Sequence, residues 1–119
     1  YRALAQGDVA AFAGALTDDV ELHVLGGPDL PFAGSWKGRE EVLKAVARNF
    51  SLVEDQQPEI ESLVAQGDTV VVFASERGRF KATGREYVIR WAQWFTFRGG
   101  ALARMRELAE EGPLLAAVR

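Results

Sequence analysis

Apolar and polar positions change their period part-way along the chain. From Val9, the apolar residues Val9, Phe12, Ala13 and Leu16 fall at i, i+3, i+4 and i+7, the spacing of one buried helical face. Thr17-Asp18-Asp19 reads as the end of that helix. Ahead of it, Tyr1–Ala5 reads as the end of an earlier helix, with Gly7 as its C-terminal cap and Asp8 as the N-terminal cap of the next. Val20 to Val24 alternates and predicts a short strand. Leu25 to Lys37, with Gly26, Gly27, Pro28, Pro31 and Gly34, predicts an irregular connection. Loops of such length in compact domains often carry function. Gly38 to Phe50 predicts the clearest helix. Glu40 and Glu41 sit in its first turn, where the helix dipole favours negative charge. Val42, Val46 and Phe50, with Leu43 and Ala47, form its apolar stripe. Ser51 to Pro58 reads as a polar link.

Beyond Glu59 the period is that of strands. Glu59–Gln66 and Thr69–Lys81 flank Gln66-Gly67-Asp68, a tight hairpin signal. Ala82-Thr83-Gly84 and Arg98-Gly99-Gly100 are two further turns. Between and after them, Arg85–Leu108 reads as two long strands, the first rich in aromatic residues. Ala109 to Pro113 reads as the end of the sheet, and Leu114–Arg119 as a short tail with helical character. Helices gathered early and strands late predict an α+β domain with helices on one face of an antiparallel sheet.

Length and charge narrow the function. A chain of 119 residues with 48% hydrophobic content suffices for one domain with a real core. The net charge of −3 argues against nucleic acid or an anionic membrane as partner. No cysteine is present, which removes disulfides, a thiolate nucleophile and a zinc–thiolate site. With one histidine the usual metal-ligand sets cannot be built, and no phosphate loop, dinucleotide fingerprint or nucleophile elbow occurs. No apolar run approaches the length of a membrane span, and no secretory signal is seen. A cytoplasmic protein is therefore expected.

Several segments together carry a family resemblance. They are ALAQGDVAAFAGALTDDVELHV, then PFAGSWKGREEVLKAV, then QGDTVVVFASERGRFKATGREYVIRWAQWFTFRGGALARMREL. Their pieces are a Gly-Asp before a helix, Asp-Asp-Val before the first strand, Gly-Arg-Glu opening the next helix and Phe-x-Phe-x-x-Gly at the last hairpin. In this order they resemble the NTF2-like superfamily, in its SnoaL-like and ketosteroid-isomerase-like branch. The resemblance covers nearly the whole chain, as one domain over 1–119 that lacks part of the family's first helix. It implies a conical α+β barrel, with N-terminal helices packed on a curved, mostly antiparallel sheet around an apolar pocket. It also implies a homodimer through the convex sheet face. It does not imply one activity, because the superfamily mixes isomerases, cyclases, dehydratases, hydrolases and binding proteins.

The resemblance also tests residues. Where steroid isomerases carry their carboxylate base, this chain has Val24. Where they carry the acid that holds the oxyanion, it has Gln93, which can donate a hydrogen bond but cannot act as an acid. Tyr1 falls near the place of their oxyanion tyrosine. Typical steroid isomerisation is therefore not expected.

The remaining candidates come from strand phase. Trp91, Gln93, Phe95 and Phe97 have period two and share a face, which the resemblance makes the pocket face. An amide buried there without a partner costs about 1–3 kcal/mol, so its partner is either the ligand or a neighbouring side chain or water. Glu107 shares the phase of Met105 and Ala103. At the pocket edge its pKa would rise as a general base or acid requires; the alternative is a strand-end pair with Arg104, Arg106 or Arg90. His23 is the one side chain with a reference pKa near neutrality, but the phase that turns Leu22 and Val24 inward turns it outward. Asp29, on the long loop, is either at the pocket mouth or solvated. Leu22, Val24, Trp36, Phe50, Trp91, Phe95 and Met105, with Phe32, are expected to line or close the pocket. Trp94, on the opposite phase, marks the expected dimer interface. Arg77, Arg79, Lys81 and Arg85 cluster near one hairpin, as an anion site or as a charge-blunted sheet edge. These features predict a protein that binds a small apolar molecule, with two functions open. One is a cofactor-free, metal-free isomerase, cyclase or dehydratase acting by proton transfer. The other is a non-catalytic binding or dimerisation module.

Overall fold

The structure, a computed structural model, describes the backbone of residues 9–119. The helix expected at Tyr1–Ala5, the caps at Gly7 and Asp8, and Tyr1 lie outside the described residues. Helix α1 is Val9–Gly14 and strand β1 is Leu16–Leu25. Strand β2 is Gly34–Lys37, helix α2 is Arg39–Ser51 and strand β3 is Val53–Gln66. Strands β4, Thr69–Phe80, β5, Arg85–Arg98, and β6, Ala101–Ala109, follow, and helix α3, Glu111–Val118, closes the chain.

The six strands form one sheet in the order β2-β1-β6-β5-β4-β3. All neighbours are antiparallel except β1 and β6, which are parallel. The sheet is α+β in class and curved, and it stays open, since its edges β2 and β3 do not pair with each other. Its curvature has local causes. Register shifts occur at Leu16/Glu21, Glu54/Gln57, Ile60/Ser62 and Thr96/Phe97, and each extra residue bends its strand and adds twist. The β5–β6 hairpin turns on Gly99 and Gly100, at φ 60° and 81°, the left-handed pair that a two-residue turn between twisted strands requires.

Several boundaries differ from the sequence pattern. Leu16 belongs to a strand: α1 stops at Gly14, and Leu102 N–H donates to the Ala15 carbonyl at 2.8 Å, which drives Leu16 beside Leu102. The long connection contains β2, whose four residues pair with Glu21–Val24; a strand this short shows no period of its own. The polar link from Ser51 is mostly β3. Its alternation is hidden because bulges reset the phase twice and because an edge strand has few buried positions. Pro58 fits there, since an edge strand spares one N–H.

The core has two parts. Leu30, Val72, Ile89, Trp91 and Leu114 belong to one, and Phe12, Leu22, Val42, Leu102 and Met105 to the other. Phe32 and Phe95 pack against both. α2 presents Val42 and Ala45 to the core rather than the whole stripe, and Ala47 is exposed. The space between the two halves, over the concave sheet face, is the candidate site.

Candidate functional site

Strand register fixes what faces this space. Val24, Glu107, Gln93 and Val72 lie in one row across β1, β6, β5 and β4. Leu22, Met105, Phe95 and Val70 form the adjacent row. Because side chains alternate across a strand, both rows point to the concave face. They line a cavity of about 670 Å³, which Phe32, Asn49, Phe50 and Leu114 border from the loop and helices. That volume suits a small organic molecule, and its walls are mostly apolar.

Glu107 is the chemically distinctive group. Burial is the main cause that pushes its carboxyl up to about 7. The Gln93 side chain, opposite it in register, hydrogen-bonds the carboxylate and opposes that rise, while the charge of Glu76 adds to it. The arginines on neighbouring positions go elsewhere. Arg90 forks onto Glu110, with Nη2 2.9 Å from Oε2. Arg106 lies over the Trp94 ring on the outer face, 5.3 Å from its centroid. Arg104 is 3.9 Å from Glu21.

A second carboxylate shares the cavity. Glu76 accepts from Tyr87 Oη at 2.7 Å, Gln56 Nε2 at 3.2 Å and Trp91 Nε1 at 3.2 Å. Tyr87 reaches it because its register partner is Gly78; a Cβ at that glycine would collide with the phenol. Burial, followed by the Glu76 contact, raises the Tyr87 hydroxyl far above the ordinary phenol range, so Tyr87 stays a donor. Glu76 was absent from the sequence candidates. The signal was available: Val70, Val72, Ala74 and Glu76 share the inward phase of β4, and a charge at the end of such a run is out of place unless it has a task.

The other candidates separate clearly. Leu22, Val24, Trp91, Phe95 and Met105 line the cavity, as does Phe50, which stays 45% exposed at its rim. Trp36 is not among the lining residues. It packs against the core half that holds Leu22 and Val42, its ring close over Gly34. His23 lies in the outward row with Arg106 and Trp94. Its Nδ1 is 2.9 Å from Ser35 Oγ and its Nε2 3.0 Å from Glu21 Oε1, so the structure does not bring it to Gln93 and Glu107. Asp29 is exposed and does not line the cavity. On β6 the inward phase of Met105 and Glu107 continues to Leu102, not Ala103, because of the register shift at Thr96/Phe97. Arg77 and Arg79 border a separate polar cleft of about 300 Å³, where Arg79 is tied to Asp55 and Glu54.

Comparison with known proteins agrees with this architecture. The model of the SnoaL-like domain matches residues 1–105. The chain belongs to the SnoaL-like domain family. An NTF2-like protein from Burkholderia xenovorans LB400 is 27% identical, with 99% of this chain and 88% of that one covered at a TM-score of 0.88. An NTF2-like protein from Burkholderia thailandensis E264 is 20% identical, with 100% and 91% covered at 0.88. TerC, co-crystallized with polyporic acid, is 18% identical, with 99% and 90% covered at 0.83. No curated protein matches the chain. Among the described residues of this SnoaL-like chain, no helix is long and apolar enough to cross a membrane, and no cluster of His, Cys, Asp or Glu could hold a metal ion.

Proposed function

We propose that this SnoaL-like protein binds a small apolar molecule in its concave cavity and moves a proton on it without a cofactor, in an isomerisation, cyclisation or dehydration. The observation that carries the reading is Glu107. It is a cavity-lining carboxyl pushed up to about 7 and hydrogen-bonded to Gln93. Near neutral pH both its forms are populated, which is what a group that takes up and returns a proton requires. Gln93 orients it, and an amide nitrogen has a second N–H for an oxygen on the substrate. Val24, in the same row, keeps that end of the site apolar. His23 has no part in the reaction.

The protein acts as a cytoplasmic homodimer. The support for the dimer is the convex face, where Trp94 lies beside a row that contains the exposed Phe73 and Leu108, 43% and 49% accessible. Apolar groups of that size in adjacent rows favour a second copy as cover.

The test is proton exchange. The protein is incubated in D2O with 2-tetralone, a small apolar ketone with acidic C–H bonds, and deuterium uptake is followed by mass spectrometry. Catalysed uptake that Glu107→Gln abolishes is the expected result. Uptake no faster than in buffer, or equal in both proteins, supports instead a non-catalytic binding module, which the apolar Val24 also favours.

A further inference from the structure

Counting donors and acceptors inside the cavity points to a ligand class more specific than "apolar". The neutral donors near Glu76 are already committed to it: the Tyr87 hydroxyl, the Trp91 indole N–H and the Gln56 amide. The Gln93 amide spends one of its two N–H donors on Glu107. A carboxylate has about four acceptor sites across its two oxygens, so both acids keep acceptor capacity that the described residues do not use. Among the described residues the cavity therefore offers a ligand more acceptors than donors.

Charge points the same way. Glu76 and Glu107 face the cavity from β4 and β6. Of the elements around them, β3 brings the neutral Gln56, β5 brings Gln93, Tyr87 and Trp91, α2 brings Asn49 and α3 brings Leu114. One described cation borders the space, Arg106. Its guanidinium lies over Trp94 on the opposite sheet face, so it does not neutralise either acid. Among the described residues the two carboxylates have no counter-ion, and in an apolar enclosure they repel an anionic ligand strongly, since charge is poorly screened there. They attract a cation. An ammonium matches both inventories, with up to three donors, no acceptor and one positive charge.

We infer that the cavity is selective for an apolar molecule bearing a protonated amine, with Glu107 and Glu76 as the residues that set this preference. The inference rests on the reading of this cavity as a ligand site and adds the charge of the ligand to it. The hydrocarbon part lies against the Phe95, Met105 and Val72 wall, and the ammonium takes the acceptor-rich side.

Three probes of one shape separate the possibilities: 4-phenylbutylamine, 4-phenyl-1-butanol and 4-phenylbutyric acid. Each is titrated at pH 8 into the whole chain, with the Trp91 indole N–H followed by NMR so that binding is read inside the cavity. The amine is expected to bind at least about tenfold tighter than the alcohol, and the acid weakest of the three. Glu107→Gln, close in shape to the native side chain, should lower amine affinity about tenfold or more and leave the alcohol within about twofold. Glu76→Gln serves as the second variant, with a smaller loss of the same sign. Equal affinity of amine and alcohol, or a preference kept in both variants, overturns the inference and leaves the apolar pocket standing. If none of the three moves the Trp91 signal, the ligand-site reading itself fails, and the inference with it.

Discussion

The two faces of the central sheet carry neighbouring residues of the same strands and opposite chemistry. On the concave face, Glu107 stands opposite Gln93 in a row with Val24 and Val72. One residue earlier on β6 and one later on β5, Arg106 stands opposite Trp94 in a row with His23 and Val71. Inside, burial raises a carboxyl toward neutrality. Outside, a guanidinium rests on an indole and a histidine bonds a serine and a glutamate. Side of the sheet, more than residue type, decides which ionisable group meets the cavity. His23 has the more suitable reference pKa, yet Glu107 is the group placed in the cavity.

The strongest way to break this contrast is at Glu107. Its carboxyl titrates near 7 in the fold against an ordinary 4.5, so folding favours the neutral form. The stability this gives is fully present below about pH 4.5 and is lost as pH rises through about 7. A difference of that size is worth on the order of 3 kcal/mol. Glu107→Gln should therefore remove the proton exchange and also make the protein more stable at pH 8 by about 1–3 kcal/mol. Urea unfolding of both proteins at pH 5 and pH 8 measures this; equal pH dependence would show that Glu107 is not raised.

Trp94→Glu attacks the other face. It should convert dimer to monomer while leaving the cavity intact, and light scattering that gives an unchanged mass refutes the interface. Tyr87→Phe is milder. It removes the donor 2.7 Å from Glu76 and should cost about 1–3 kcal/mol, as for a buried bond to a charged acceptor, with no change in mass. Thermal denaturation reads it, and an unchanged Tm would mean that Gln56 and Trp91 alone hold Glu76. The smallest effect is expected at His23. His23→Ala should leave proton exchange intact and shift Tm by no more than about 3 °C. A large loss of exchange would place the histidine in the reaction after all.

Much of the fold could be read along the chain. The helix at 39–51 and the hairpins of β4, β5 and β6 carry strong local periods, and the family's pieces in order were enough to expect a curved sheet under helices. The site was legible in part. The period of Trp91, Gln93, Phe95 and Phe97 placed four side chains on one face, and all four line the cavity. Glu76 escaped because β4 turns basic just after it, at Arg77 and Arg79. Trp36 was expected at the pocket, but four residues of β2 pair it with Leu22 and set it against the core beside the cavity.

The order of elements and the two-sidedness of β5 are written in the local pattern of the chain. Both depend on residues within a few positions of each other, where steric and hydrophobic preferences act directly. What Glu107 meets depends on long-range contacts. The sequence left it between an arginine pair and a raised carboxyl. That choice turns on which strands lie beside β6, on bulges that reset the register, and on where three arginines find other partners. These are contacts between distant parts of the chain, and their energies exist only once the sheet has formed.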